Sequence, residues 1–303
     1  MMMKWQHDAF PELKHHPAFD ATRQRKAMET LIPTISDDLA TNLTDGTAES
    51  VYGVEEIVGT HSLRLADGRV IDHIDSIICC TGGIADISGL VPPECDPANP
   101  ALAADAFAAL PAQYREGHPV PRLYRGFISL HHPHSLAFFG HSIYRRSAFA
   151  LYDLMSMALA QLWKGDYPMP SQAEMEAEVN RHYQRMVKQM AKEDVAHTGL
   201  FTDIEFDQWL QGVAGTGLYE RLGNWMSWES WKLWLTDRKL YLTLMDGAPS
   251  AHALRLFDIG RGRQMWSGAR AAIEKAEEER QSMEEAWKQQ QKQKQSQPKA
   301  KTN

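Results

Sequence analysis

A short apolar run at residues 74–80 constrains the fold more than any other feature of this 303-residue sequence. The run ends at Thr81-Gly82-Gly83, and its length and β-branched composition are typical of a strand buried on both faces of a sheet. Just before it, Asp67-Gly68 supplies a hairpin turn, because both residues tolerate a positive φ. The pattern predicts strands at residues 51–65 and 70–82, joined by this turn.

Two more strands and a series of helices are predicted downstream. Strands are predicted at 123–130 and 135–139, the second of which stops at Gly140, and a long helix follows from about Arg146 to Lys164. Ser171 and Glu174 have the spacing of a capping box, which begins another helix. Further helices are predicted at residues 101–110, 203–210, 219–235 and 269–291, and a short one follows a cap at Ser36.

These elements predict an α/β fold with a helical C-terminal portion. The predicted organisation is an N-terminal arm at residues 1–30, a main region at 31–273 with a sheet part at 51–145 and a helical part at 146–273, and a polar helix with a disordered tail at 274–303.

Charge and composition exclude several classes of protein. The 32 Lys and Arg residues against 39 Asp and Glu give a net charge of -7, which argues against nucleic-acid binding. The longest apolar stretch, residues 149–163, is interrupted by polar side chains and is shorter than the roughly 20 residues of a membrane span. No secretory leader is evident, and three cysteines cannot build a disulfide framework, so a cytoplasmic location is expected.

The order of these elements, with their residues, resembles the C-terminal half of the flavin-containing monooxygenases. The resemblance extends from about residue 31 to 273, and Cys80 and Gly83 stand where the family has Ala and Tyr. The matching segments are Ile32 to Leu39, Asp67 to Gly82, Leu123 to Phe127, Leu136 to Gly140, and Gly260 to Arg270.

The resemblance implies a partial FAD/NAD(P)-binding fold of the kind with two dinucleotide-binding domains. It also implies FAD- and NADPH-dependent oxygenation of a small substrate that contains nitrogen, sulfur or a carbonyl group. The glycine motif Gly-x-Gly-x-x-Gly, which brings backbone N–H groups to a pyrophosphate, is absent, and Gly212 to Gly217 has the wrong spacing. We therefore expect a truncated form that is inactive alone. A second interpretation is that a separate chain supplies the N-terminal half and assembles with this one. The alternative is a non-catalytic binding or scaffold protein derived from the family.

Two segments are candidate cofactor-binding sites. Cys80, Thr81 and Gly82 end the predicted strand, where glycine lets backbone amides approach a flavin, although an ordinary turn explains the same residues. Gly140, His141 and Ser142 join a predicted strand to a helix, whose free N–H groups suit the electron-rich end of a flavin. An ordinary strand-to-helix connection is the alternative interpretation of these three residues. No side chain is nominated as catalytic.

Three other groups of residues have simpler interpretations. The histidines at 131, 132 and 134 lack the geometry of a metal site, so no metal is expected. The tryptophans at 225, 228, 231 and 234 are interpreted as core or interface packing rather than as a stacking row. Arg261, Arg263 and Arg270 are assigned to the surface, with contact to a cofactor phosphate as the alternative.

Overall fold

The computed structural model describes most of the chain from residue 36 onward. The described residues are 36, 38–51, 53–80, 89–99, 101, 105–112, 120–142, 147–191, 199, 201, 204–223, 226–247 and 250–289, with the backbone alone for 290–296. They form two compact units, one within Met1–Leu90, Ala103–Val120 and His182–Thr198, and one within Val91–Leu102, Pro121–Arg181 and Gly199–Asn303. The predicted arm at 1–30 lies outside the described residues.

A three-stranded antiparallel sheet lies in the first unit. Its strands are β1 (Val54–Gly59), β2 (Ser62–Leu65) and β3 (Val70–Ile71), in that order across the sheet. Asp67-Gly68 forms the turn between β2 and β3, with Gly68 at φ 84 and Asp67 Oδ1 accepting the N–H of Arg69 at 3.0 Å. The hairpin prediction at Asp67-Gly68 is confirmed, because the turn residues specify it locally. The predicted single strand at 51–65 is wrong, because β1 and β2 pair with each other within this range.

The predicted buried strand at residues 74–80 is wrong. The N–H of Ile74 donates to the carbonyl of His61 at 2.9 Å, but residues 72–80 belong to no strand. Ile77 and Ile78 are exposed, Ile78 by 84%. A strand buried on both faces needs neighbours beside it and layers above and below it. The described residues supply no strand that pairs with 72–80, so this segment stays outside the sheet.

Two helices of the first unit are short. Helix α1 (Leu39–Asp45) begins after Ser36, whose Oγ accepts the N–H of Leu39 at 3.2 Å, as predicted. Helix α2 (Asp105–Ala108) has only four residues where a helix over 101–110 is predicted. Phe107 of α2 is buried and packs edge-on against Tyr183, so one apolar contact anchors this turn.

The predicted strand at 123–130 is broken into a tight hairpin in the second unit. Strands β4 (Leu123–Tyr124) and β5 (Ile128–Ser129) pair around Arg125 and Gly126, which have φ values of 53 and 75. Two successive residues with positive φ reverse a chain, so a continuous strand is impossible there. Of the predicted strand at 135–139, only a bridge between Ile128 and Ala137 forms.

Three helices follow in the order predicted. They are α3 (Ala148–Lys164), α4 (Gln172–Met190) and α5 (Ile204–Ala214). The capping box of α4 is confirmed: Glu174 Oε2 accepts the N–H of Ser171 at 2.8 Å, and Ser171 Oγ accepts the N–H of Glu174 at 3.4 Å. Helices α3 and α5 pack against each other and contribute much of the core of the second unit, including fully buried Leu154 and Leu210.

The helix predicted at 219–235 is divided. A π-helical turn at Tyr219–Gly223 precedes α6 (Trp228–Thr236), because Ser227 caps a new helix by accepting the N–H of Ser230. Helix α7 (Arg238–Asp246), a 3-10 turn (Ala251–Arg255) and helix α8 (Ala269–Ser296) complete the second unit. Helix α8 continues past the predicted end at 291, and the rest of the predicted tail lies outside the described residues.

The described residues are thus mixed α/β, with mostly helices and two small sheets. None of their helices is both long enough and apolar enough to cross a bilayer.

Candidate functional site

The first predicted cofactor segment is only partly described. Cys80 is exposed at the end of the irregular segment 72–80 in the first unit, and its neighbour Cys79 is exposed as well. Thr81 and Gly82 lie outside the described residues. Cys80 therefore presents an accessible thiol, and it does not end a buried strand as predicted.

The second predicted segment, Gly140 to Ser142, lies in the second unit and is held by backbone contacts. Gly140 has a φ of 101, and buried Ser142 donates its hydroxyl hydrogen to the carbonyl of Gly126 at 2.8 Å. A Cβ added to Gly126 would lie 2.5 Å from Ser142 Oγ, so this contact requires glycine. Helix α3 begins only at Ala148, so Gly140, His141 and Ser142 are not its first turn.

The three arginines near the closing glycines have structural partners. Arg261 donates to the carbonyls of Gly212 and Val213, the latter at 2.7 Å, and thereby caps the end of α5. Arg263 makes a two-pronged contact with Asp153 at 2.6 and 3.0 Å, and Arg270 pairs with Asp237. Their guanidinium groups form contacts that stabilise the second unit. The assignment of these residues to the surface did not predict these contacts.

The tryptophan row does not pack into a core. Trp228 and Trp231 lie on α6 and are exposed, Trp228 by 72%, while Trp234 is half-buried against Trp231 at 5.9 Å between ring centroids. Trp225 lies outside the described residues. Core packing is therefore wrong for Trp228 and Trp231. The interface interpretation stays a prediction.

The histidines at 131, 132 and 134 are exposed. Within the described ranges, no group of three or more His, Cys, Asp or Glu side chains is placed to hold a metal ion.

A charged cluster fixes the β4–β5 turn. The Arg125 guanidinium lies 5.0 Å from the Trp209 ring centroid and 3.9 Å from the carboxylate of Glu178 on α4. Burial raises the pKa of the Tyr124 phenol, and the hydrogen bond from Arg125 opposes that rise. The cluster joins the turn to helices α4 and α5 with its charges already paired.

An open cavity with a volume of about 730 Å³ is lined by described residues of the second unit. Its walls come from the start of α3, one side of α5, the π-helical turn, the end of α7, the 3-10 turn and the start of α8. The lining residues are Ser147, Ala150, Ile204, Asp207, Gln208, Gln211, Leu218, Tyr219, Leu222, Gly223, Leu244, Met245, Gly247, Ser250, Ala251, Ala253, Leu254 and Ile273. The volume is typical of small-molecule sites, which span ~300–1,000 Å³.

The π-helical turn that forms one wall is held firmly. Arg221 donates to the carbonyl of Gly217 at 2.8 Å, lies 4.4 Å from the Phe257 ring centroid and pairs with Glu229 at 3.4 Å. The Tyr219 ring covers Gly223, where an added Cβ would come within 2.1 Å of a ring carbon. Such π turns occur frequently at functional sites. This wall is therefore preformed.

The polar centre of the cavity is a pair of side chains on α5. Gln211 Nε2 donates to Asp207 Oδ2 at 2.5 Å, one helical turn earlier. Gln211 is 8% exposed, and its Oε1 has no hydrogen-bond donor among the described residues. A buried acceptor without a donor is costly in a folded protein, and this oxygen has almost no accessible surface, so it lies beneath the cavity wall rather than on it.

A second buried glutamine, Gln161, has a hydrogen-bond donor for its amide oxygen. Gln161 on α3 is 7% exposed, and its Oε1 accepts the N–H of Gly262 at 3.2 Å. Gln161 does not line the cavity. The two glutamines therefore differ in the partner of one oxygen rather than in burial.

Sequence reasoning missed this site. The spacing of Asp207 and Gln211 is that of neighbours on one helix face, but the predicted helix stopped at 210. The glycines that follow, Gly215 and Gly217, have φ values of 71 and 67 and end α5 instead of cradling a phosphate. The free oxygen of Gln211 depends on which other segments surround α5, and no local pattern encodes it.

Comparison with known proteins adds one relative. The sequence matches no model of a known protein family. It is 35% identical over 266 residues to the monooxygenase aurF of Gibberella zeae, which is 88% of this chain and 47% of that protein. The chain thus spans about half the length of the curated relative that it matches.

Proposed function

We propose that the chain is the C-terminal half of a flavin-dependent monooxygenase, acting on a small substrate that contains nitrogen, sulfur or a carbonyl group. The observation that carries this proposal is the similarity to a named monooxygenase over 88% of the chain. The ordered motifs from residue 31 to 273 point to the flavin-containing family in particular. FAD, reduced by NADPH, would supply the oxygen-activating chemistry when bound.

The described residues fit the edge of a flavin site better than a complete nucleotide site. Cys80 and the residues before it are exposed and outside any strand, so a cofactor or a second protein surface can reach them. The glycines at 215 and 217, by contrast, end a helix. We infer that the glycine-rich phosphate turns come from a nucleotide-binding half, on the same polypeptide or on a separate chain.

In such an assembly, this chain would bind the nucleotide-binding half and would exclude water from the reacting centre. The segment containing Ile77 and Ile78 would be covered by the nucleotide-binding half, because burial of exposed apolar surface favours association. A covered seam would keep water away from the reacting centre. None of the described side chains is assigned a proton transfer.

The test is co-expression of this chain with a nucleotide-binding half that carries Gly-x-Gly-x-x-Gly, taken from a flavin-containing monooxygenase. We expect the two to co-purify with visible flavin absorption and to consume NADPH. The variant Ile78→Asp should prevent co-purification, while Met283→Asp, an equally exposed apolar site on α8, should not. Co-purification without flavin absorption or NADPH consumption would support the alternative of a non-catalytic protein.

One observation favours that alternative as a second candidate. The described residues that line the cavity all belong to the second unit, so a ligand could bind there without a nucleotide-binding half. A protein that binds a small molecule without oxidising it would need only this unit.

A further inference from the structure

We infer that the exposed face of helix α6 docks onto an anionic phospholipid surface, with its tryptophans at the level of the lipid headgroups. This inference gives the tryptophan row of α6 a partner. It does not depend on flavin binding or on a nucleotide-binding half.

Helix α6 presents large apolar side chains to solvent. Trp228, Trp231 and Leu235 are exposed by 72%, 47% and 65%. Their spacings of three and four residues place all three on one face of the helix. Ser230 and Leu233 lie on the opposite face and are buried. The opposite face therefore packs within the fold, and the tryptophan face is open to a partner.

The charge at the tryptophan face is positive. Lys232 is exposed on the same face, and Arg238 is exposed at the start of α7. The acidic neighbours, Glu229 and Asp237, are each paired with an arginine. Neither Lys232 nor Arg238 forms an ion pair with any residue that the structure describes. The chain as a whole has a net charge of -7, so this positive excess is a local property that complements an anionic surface.

The combination of tryptophan and lysine on one face favours a lipid surface over a protein surface. The centre of a protein interface is depleted of lysine, because a buried ammonium group needs an opposite charge. At a bilayer surface, tryptophan rings lie among the headgroups, and a lysine side chain extends toward the lipid phosphates. Helix α6 has nine residues, far fewer than the roughly 20 of a membrane span, so it would lie in the plane of the surface.

The experiment is co-sedimentation of the full chain with vesicles of two compositions. One is phosphatidylcholine alone, and the other is an equimolar mixture of phosphatidylcholine and phosphatidylserine. We expect the partition coefficient of the wild type to be about tenfold higher for the mixed vesicles. This preference should fall as the salt concentration rises, because salt screens the attraction between the cations and the anionic lipid.

Two sets of tryptophan variants test the contribution of the apolar side chains. The double variant Trp228→Ser, Trp231→Ser should lower the partition coefficient for mixed vesicles at least about tenfold, because membrane binding scales with the apolar area that is buried. Trp287→Ser removes a tryptophan of similar exposure, 54%, from α8 and should leave the coefficient unchanged. Circular dichroism establishes that each variant is folded.

Two lysine variants test the contribution of charge. Lys232→Gln should lower the partition coefficient for mixed vesicles about fivefold and should have little effect with phosphatidylcholine alone. Lys275→Gln removes an exposed charge from α8 instead, and its partition coefficient should match that of the wild type.

Three results would overturn the inference. They are no co-sedimentation of the wild type with either vesicle, partitioning that is indifferent to phosphatidylserine and to salt, and a loss in Trp287→Ser as large as that in the α6 double variant. A double variant that binds vesicles normally but no longer co-purifies with a nucleotide-binding half would instead identify the face as a protein interface.

Discussion

The sheet segment (residues 53–80) and the helical layer (α3 with α5) differ in how far their apolar side chains are buried. In the sheet segment, Val54, Ile57 and Ile78 are exposed, and only Leu63 and Leu65 are buried. In the helical layer, Leu154 and Leu210 have no exposed surface. A helix pair covers its own apolar faces, whereas a small sheet needs a second layer. Among the described residues, the helical layer therefore buries its apolar side chains, whereas the sheet segment leaves most of its own exposed.

The largest effect expected from this comparison is on stability. Leu154→Ala should lower the free energy of unfolding by about 3 kcal/mol, because it removes buried methyl groups and leaves a cavity. Ile57→Ala in β1 should change it by less than about 0.5 kcal/mol, because this side chain is 66% exposed. Urea unfolding followed by circular dichroism measures both. Equal losses would show that the sheet segment is covered in solution.

An intermediate effect is expected for two ion pairs, one between the β4–β5 turn and α4 and one in the sheet segment. Glu178→Gln should cost about 2 kcal/mol, because it leaves Arg125 half-buried without its opposite charge. Glu56→Gln removes the exposed pair with Arg64 and should cost less than about 0.5 kcal/mol, although its 2.7 Å contact is the shorter of the two. Urea unfolding of each variant in low and high salt checks this order, and salt should reduce only the Glu56 effect.

The smallest effect concerns pH and the start of α7. The hydrogen bond from Arg270 lowers the pKa of Asp237, whose Oδ1 also accepts the N–H of Leu240 at 3.2 Å. A lowered pKa means that the stabilisation is full above the ordinary carboxyl pKa of about 3.9 and is lost as the pH falls through the lowered value. At pH 7, Asp237→Ala should cost about 1 kcal/mol.

Asp237→Asn serves as the control for that prediction. Asparagine retains an oxygen that can cap α7 but loses the negative charge, so it should cost less than Asp237→Ala at pH 7. Both differences from the wild type should shrink as the pH falls below the lowered pKa. A loss that is independent of pH would contradict a role for the charge.

Local signals account for the parts of the fold that were predicted. The Asp67-Gly68 hairpin, the capping box at Ser171 and Glu174, and the long helix α3 each depend on residues a few positions apart. The burial of residues 74–80 was predicted wrongly, because it depends on strands that the described residues do not contain.

The candidate site was the least predictable part. The cavity beside Gln211 is also lined by α3 and α7, which are distant in sequence from α5. Gln161 has the same chemistry and nearly the same burial, yet Gly262 occupies its oxygen. Composition and periodicity cannot show which of the two glutamines has a donor for its amide oxygen.

The described residues that line the cavity beside Gln211 all belong to one unit, and in the proposed assembly this has a consequence for how such proteins would diversify. Substitutions on a few helices would change which molecule fits the cavity and would leave the nucleotide-binding half unchanged. Selection of the bound small molecule and supply of the oxidising chemistry would then evolve independently of each other. A family of this design could acquire new chemistry by exchanging one lining side chain at a time.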